Sequence, residues 1–277
     1  MIDAHVHVWN PATGFGWLRG PLRRSFDLHD LQTEWASAGI ADVAAILVEA
    51  GRGDDAETES LLELAARTSA VVGVVGSARL SDSGALDRLQ AMIQSPNGRW
   101  LRGIRERLDG PGLPDAVAEV ADALADHGLV LELNVATDRL RDVVEICAAA
   151  GPRVPIVIDH VGAPPGSLTG RRSIRWTADL AEVARHRQVS IKLSGLGTQL
   201  RRLRPDQRAD LIRFAVGLFG PQRAMLGSDW PVCTLVGDWR DAVDSVVQAC
   251  ADQPGEAIEW ITGRTAALIY QLKPCAG

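Results

Sequence analysis

Residues 189 to 229 read VSIKLSGLGTQLRRLRPDQRADLIRFAVGLFGPQRAMLGSD. Two short apolar runs, VSIKLSG (189 to 195) and RAMLGSD (223 to 229), flank PDQRADLIRFAVGLFG (205 to 220), whose apolar residues recur with the period of a helix. Strand, helix and strand in that order are one unit of a parallel sheet. Outward from here the pattern repeats at intervals of about 25 to 40 residues, the length of one strand plus one helix. The further runs are IDAHVHV (2 to 8), ADVAAILVE (41 to 49), AVVGVVG (70 to 76), LRGIRER (101 to 107), LVLELNV (129 to 135) and VPIVIDH (154 to 160). Helical periodicity fills the gaps, as in DAETESLLELAARTS, PDAVAEVADALADHG, TDRLRDVVEICAAAG and TADLAEVARHRQ. Asp115 and Asp138 stand where helices start, and Gly128 and Gly151 where they stop. Arginines crowd the fourth run and make it the least regular. Eight units without a composition break predict an α/β fold, a (β/α)8 TIM-type barrel built from residues 1 to 277 as one domain. The competing architecture is an open doubly wound sheet, but no G-x-G-x-x-G turn follows an early strand.

The 277-residue chain is 46% hydrophobic and 23% charged, a balance that supports a sizeable core and argues against disorder. No apolar run approaches the roughly 20 residues of a membrane-spanning helix. MIDAHVHV lacks the basic region and long apolar stretch of a signal peptide, so a cytoplasmic protein is expected. A net charge of -6 makes nucleic acid a poor partner. Cys147, Cys233, Cys250 and Cys275 form no C-x-x-C pair and read as buried thiols rather than disulfides or zinc ligands. Only two lysines occur, Lys192 and Lys273, so a lysine within a strand stands out.

In a barrel the outer strand faces pack on helices, and polar residues near strand C-terminal ends face the axis. DAHVHVWN (3 to 10) then places Ile2, Ala4, Val6 and Val8 outside and Asp3, His5 and His7 inside, two imidazoles on one face. Further along, Glu49 follows Ala45 and Leu47, Arg105 lies opposite Ile104, and Glu132 and Asn134 oppose Leu131 and Leu133. His160 is in phase with Ile156 and Ile158, Lys192 with Ser190 and Ser194, and Asp229 with Met225 and Gly227. So many ionisable groups at one mouth exceed what a core chosen for packing would hold. A same-face histidine pair suits a metal ion or an anionic transition state. Glu49 and Glu132 are read equally as pocket residues or ion-pair partners, and His29, His127 and His186 as surface residues.

With H-x-H on the first strand, His160 on the sixth and Asp229 on the eighth, the chain resembles the amidohydrolase superfamily. It is most similar to the amidohydrolase-related branch of sugar lactonases and pyrone-dicarboxylate lactonase. The resemblance runs nearly end to end through MIDAHVHVW, VEAGRGDDAETESLLELA, VVGVVGSARL, LRGIR, VIDHVGAPP, WTADLAEVARHRQVSIKLSGL and LGSDWPVC. It implies that water attacks the carbonyl of a lactone, with Asp229 as general base. It further implies that His5, His7 and His160 hold either one divalent ion, zinc by preference, or the carbonyl and water directly, without metal. An aspartate titrating near 4 accepts a proton at neutral pH but is a weak base, so it needs a polarised carbonyl or an activated water. In the zinc reading His5, His7, His160 and Asp229 are the ligand candidates. Two-metal relatives use a bridging lysine or glutamate and a histidine on strand five. Arg105 on strand four and the absence of a strand-five histidine argue against that site. The chain departs from the pattern at Glu49, where glutamine is common, at Glu106, where histidine is common, and at Thr265, where asparagine is usual. The competing activity is a zinc-dependent decarboxylase of aromatic or unsaturated acids on the same barrel.

RGPLRR (19 to 24), GRRSIR (170 to 175) and RRLR (201 to 204) follow strands one, six and seven, on the catalytic face of a barrel. Three arginine-rich loops are either a solvated rim or a clamp for an anionic small-molecule lactone. Substrate contacts are expected from Arg105, Lys192, Glu49, Glu132, Trp9 and Trp230, with Trp17 read more readily as a loop anchor and Tyr270 as structural.

Overall fold

The computed structural model describes residues 1–108, 110 and 112–272. Parallel strands β1 (Ile2–Val6), β2 (Ala44–Val48), β3 (Val71–Gly76), β4 (Leu101–Leu108), β5 (Val130–Val135), β6 (Ile156–Ile158), β7 (Val189–Leu193) and β8 (Ala224–Leu226) lie side by side in sequence order. The chain just past β8 returns to β1. Val6 bridges Trp230, the His7 amide donates to the Trp230 carbonyl at 2.7 Å, and the Asp229 amide donates to the His5 carbonyl at 2.9 Å. The sheet is thereby closed as the (β/α)8 barrel expected from the repeat.

Helices α1 (Leu28–Ser37), α2 (Asp55–Ala65), α3 (Ala85–Gln94), α4 (Val117–Asp126), α5 (Asp142–Ala150) and α6 (Arg171–Ala184) follow the first six strands in turn. A short α7 (Leu196–Gln199) and the long α8 (Pro205–Phe219) follow β7, and α9 (Trp239–Ala249) follows β8. Helices α10 (Gly255–Glu259) and α11 (Thr265–Ile269) end the described chain. Local chemistry fixes several helix starts. Asp27 with Asp30, and Asp238 with Asp241, form reciprocal capping boxes, and Pro205 occupies the first turn of α8. Each such cap contributes about 1 kcal/mol. The Asp238 cap also fixes where α9 begins, and so where Trp239 meets β1.

Two apolar layers result. Leu131, Leu133, Ile156, Ile158, Ile191 and Leu193 belong to the layer between strands and helices. Ala4, Ile46, Val48, Val75, Val130, Val157 and Met225 form a second cluster inside the barrel, closed from the C-terminal segment by Ala266 and Tyr270. No described helix is long and apolar enough to cross a membrane. Cys147, Cys233 and Cys250 are buried and unpaired, and burial pushes the Cys147 thiol up to about 12. Cys275 and Lys273 lie outside the described residues.

The sequence phases need three corrections. On β1 the register to β2 slips between Asp3 and Val6, so Ile2 and Ala4 join the inner cluster while Asp3 turns outward to the indole of Trp239. A bulge reverses the phase before the histidines, which a strict alternation cannot anticipate. On β2, Ile46 and Val48 face the axis and Ala45 and Leu47 face the helices. On β6, Val157 faces inward, with Ile156 and Ile158 outside. Glu49 and His160 follow the ends of β2 and β6, where the strand alternation stops. The expected seven-residue runs at β6 and β8 shorten to 3 residues each, and the arginine-crowded β4 is 8 residues long.

Candidate active site

His5 and His7 project from β1 and its extension toward a common point. The His7 Nδ1 lies 2.8 Å from the Val48 carbonyl, which can only accept, so Nδ1 carries the proton and Nε2 presents a lone pair. The His5 Nε2 is 3.1 Å from that lone pair. One oxygen of Asp229 lies 3.8 Å from the His5 Nε2 and 3.6 Å from the His7 Nε2. Gly227 makes room for this packing, since a Cβ there would fall 2.7 Å from the Cβ of His5. His160 completes the group, with its ring centre 4.7 Å from that of His5 and its Nδ1 2.9 Å from the Ser194 hydroxyl.

The two residues just past the short strands adopt left-handed backbone, at φ 53° for His160 and 60° for Asp229, followed by Val161 at 54°. Such a conformation costs on the order of 1–3 kcal/mol for a branched residue and persists where its surroundings hold it. Here they do. Asp3 accepts the Ser228 amide at 2.9 Å and the Trp239 indole N–H at 2.8 Å, and the Ser228 hydroxyl accepts the Trp230 amide at 3.0 Å. Asp3, expected inside, thus positions the Asp229 turn from behind.

Beneath the histidines lies a buried ionic floor. The Arg105 Nε meets Glu49 at 2.6 Å, its Nη2 donates to the Glu49 carbonyl at 2.9 Å, and its Nη1 meets Asp159 at 3.4 Å. The Lys192 Nζ lies 2.6 Å from Glu132, 3.1 Å from the His5 Nδ1 and 3.7 Å from Asp159, and the Tyr270 hydroxyl donates to Glu132 at 2.7 Å. Asp159 is missed by the strand alternation as read from the sequence. It is in phase with Val157, so the corrected alternation of β6 would have found it. Its Oδ1 sits 3.3 Å from the His5 Nδ1.

Electrostatics follow from this layering. Burial, aided by the Lys192 charge and opposed by Asp159, holds His5 well below the usual imidazole range. Burial also lowers His160, against Asp229 and Asp159. Burial raises Glu132, with repulsion from Asp159 adding to it, whereas His5 and Lys192 keep Asp159 low against the same burial. Both imidazoles are therefore neutral at neutral pH, the form that binds metal.

His5, His7 and Asp229 each offer a donor atom within 4.8 Å of the others, while His160 groups instead with His5 and Asp159. The His5 Nε2 and His7 Nε2 face each other at 3.1 Å beside the Asp229 carboxylate, and the His5 Nδ1 lies between the Lys192 Nζ at 3.1 Å and Asp159 at 3.3 Å; a cation would take both Nε2 lone pairs with the His5 N–H turned to Asp159. Two imidazoles and a carboxylate, each imidazole held by an outer hydrogen-bond partner, are a donor set that fits zinc.

Above the floor opens a cavity of about 290 Å³ whose wall includes His7, His160, Asp229, Arg105, Asn134 and Gln199, with Trp17 and Arg107 at its rim. Glu132 and Lys192 lie wholly buried below it, and Glu49 behind Arg105. Trp9 and Trp230 are buried too. The Trp9 indole donates to Leu22 and Arg24 carbonyls, and Trp230 packs edge-on against Phe26. Trp17 anchors its loop by donating to the Ala50 carbonyl at 2.6 Å, yet remains 40% exposed beside the cavity. Among the rim arginines, Arg19 and Arg24 bond to their own loop, Arg175 pairs with Asp179 and Arg204 with Asp206. None of them lines this cavity; Arg201 lines a separate cleft of about 540 Å³ between α8 and α9. Two departures from the sequence pattern are structural: Glu106 accepts the Leu80 amide at 2.6 Å, and Thr265 donates to the Pro221 carbonyl at 2.8 Å.

The chain is similar to several known proteins. An L-fucono-1,5-lactonase from Burkholderia multivorans is 34% identical over 98% of this chain and 96% of its own length. An L-fucono-1,5-lactonase from Burkholderia ambifaria is 33% identical over 87% of this chain and 83% of its own. The crystal structure of an amidohydrolase from Burkholderia multivorans with bound zinc superposes with a TM-score of 0.86 at 30% identity, covering 98% of this chain and 99% of that one. The sequence model of the amidohydrolase family matches residues 2–272, and the chain belongs to that family.

Proposed function

We propose that the protein is a hydrolase that opens a lactone ring, with sugar lactones as the first class to test. The observation that carries this reading is the approach of one Asp229 oxygen to the Nε2 atoms of both His5 and His7 at the floor of a small cavity. The relatives at 33% and 34% identity, both L-fucono-1,5-lactonases, support the ring chemistry. About 290 Å³ is at the low end of the roughly 300–1,000 Å³ of small-molecule sites, so one small ring fits better than an oligosaccharide.

Asp229 takes a proton from the attacking water as the new C–O bond forms at the lactone carbonyl carbon, and returns it to the ring oxygen as the acyl C–O bond breaks. The product is a hydroxy acid. His160 and the remaining N–H groups of Arg105 face the cavity and hold the carbonyl oxygen as it gains charge. A divalent ion bound by His5, His7 and Asp229 would polarise the carbonyl and make water a better nucleophile. We also place the protein in the cytoplasm, where buried, unpaired Cys147, Cys233 and Cys250 suit a reducing compartment.

A panel of sugar lactones, carboxylated lactones and aromatic acids, read by pH indicator and by gas release, tests the assignment. Acid release from a lactone without carbon dioxide is expected. Carbon dioxide from an aromatic acid, with every lactone inert, would make the protein a decarboxylase instead.

A further inference from the structure

Arg105 is the one buried cation on the cavity wall among the described residues, and it is already surrounded by anions. Glu49 binds its Nε at 2.6 Å and Asp159 its Nη1 at 3.4 Å. Glu49 is itself fixed in place. Its second oxygen accepts the Gly51 amide at 2.7 Å, and Glu57 clamps the next turn by accepting the Ala50 and Arg52 amides. A carboxylate on the substrate would be the third anion beside one guanidinium. Arg107 offsets little of this, because it is exposed and its charge is screened by water.

The hydrogen-bonding groups favour a different ligand. Three of the five guanidinium N–H groups of Arg105 are used, which leaves two that donate to hydroxyl or carbonyl oxygens without needing a counter-charge. Asn134 and Gln199 add neutral amides that both donate and accept. We propose that Glu49 sets the charge of the substrate: by occupying Arg105 it reserves the cavity for an uncharged, hydroxyl-bearing lactone and turns away one that carries a carboxylate. This inference rests on the lactonase reading and deepens it. Glu49 acts through Arg105 and is a selectivity residue rather than a catalytic one.

Matched pairs of aldono-lactones and aldaro-lactones of the same ring differ only in a carboxylate replacing the terminal CH2OH group, and kcat/KM for each pair isolates the charge. Wild type is expected to favour the aldono-lactone by at least about tenfold, the size of one unit charge within about 10 Å at an effective dielectric near 20. Glu49→Gln should shrink that ratio by about the same factor, whereas Glu49→Asp, which keeps the charge, should preserve the preference. A parallel loss on both substrates, with the ratio unmoved in Glu49→Gln, would mean that Glu49 only supports the loop. Equal shrinkage in Glu49→Asp would assign the effect to shape and also overturn the proposal. If Glu49→Gln fails to fold by circular dichroism, the wild-type and Glu49→Asp ratios still decide, because a wild-type preference for the aldaro-lactone contradicts the proposal by itself. That last result would leave lactone hydrolysis standing; only inert lactones throughout would remove both readings.

Discussion

The floor of the site and its rim are both rich in charge, yet they are built in opposite ways. On the floor, Glu132, Asp159 and Lys192 are fully buried and Glu49 and Arg105 nearly so, and each faces at least two charged or hydrogen-bonding neighbours. At the rim, Arg204 and Asp206 form a pair that is more than half exposed, and Arg24 lies over the Phe26 ring in solvent. Buried pairs penalise the loss of a partner strongly because the remaining charge has no water to turn to, whereas exposed pairs are replaced by water at little cost. The histidines stand on the floor. Their geometry is therefore tied to the least tolerant part of the molecule, while the rim is free to vary.

The sharpest way to break this contrast is Lys192→Met, which leaves Glu132 and Asp159 without their shared cation. A loss of about 3–5 kcal/mol in urea unfolding is expected, the cost of removing one partner of a buried pair. A loss below 1 kcal/mol would show that the floor is not the rigid element described here.

A second, smaller effect follows from His5 and His160, whose folded pKa values lie below the ordinary 6.5. The unfolded chain takes up protons on these rings near pH 6.5 while the folded chain does not, so the unfolded state binds more protons below that pH. These two rings lower stability as pH drops from about 6.5 toward the depressed folded values, whereas Glu132, raised by burial to about 8, holds its proton in the folded chain over the same window and works the other way. Urea unfolding of metal-free wild type and His160→Gln at pH 7.5, 6.5 and 5.5 isolates the imidazole share, and a difference between the two proteins that stays constant across that window would contradict the lowered pKa. The smallest effect belongs to the rim: Arg204→Ala should leave the melting temperature and the lactonase rate where they were, measured side by side with wild type.

Much of this was legible in the chain because strand and helix periods differ and the unit repeats. His5 and Lys192 lie near the C-terminal ends of their strands, His7 and Asp229 just beyond theirs, and Glu132 in mid-strand opposite the outer Leu131 and Leu133, so the same reasoning places all five. What escaped did so for local reasons. The slip in β1 register moves Asp3 from the axis to the Trp239 indole, and no spacing rule reveals a bulge. Asp159 was masked by its neighbour His160, because the left-handed backbone at 160 brings both residues of the pair into the site from what reads as an alternating strand. The arginine loops read in sequence as either a solvated rim or an anion clamp, and in the structure Arg19, Arg24, Arg175 and Arg204 turn to nearby carbonyls and carboxylates. Charge in a loop reports composition; only its partners report what it can bind.

The central claim is that Asp229 accepts the proton of the water that opens the ring. It is tested most directly by acid release from the best wild-type lactone, measured for wild type and Asp229→Asn with matched circular dichroism. Loss of a general base predicts a rate lower by on the order of 10² to 10⁴ in the variant. Equal rates in the two proteins would contradict the account.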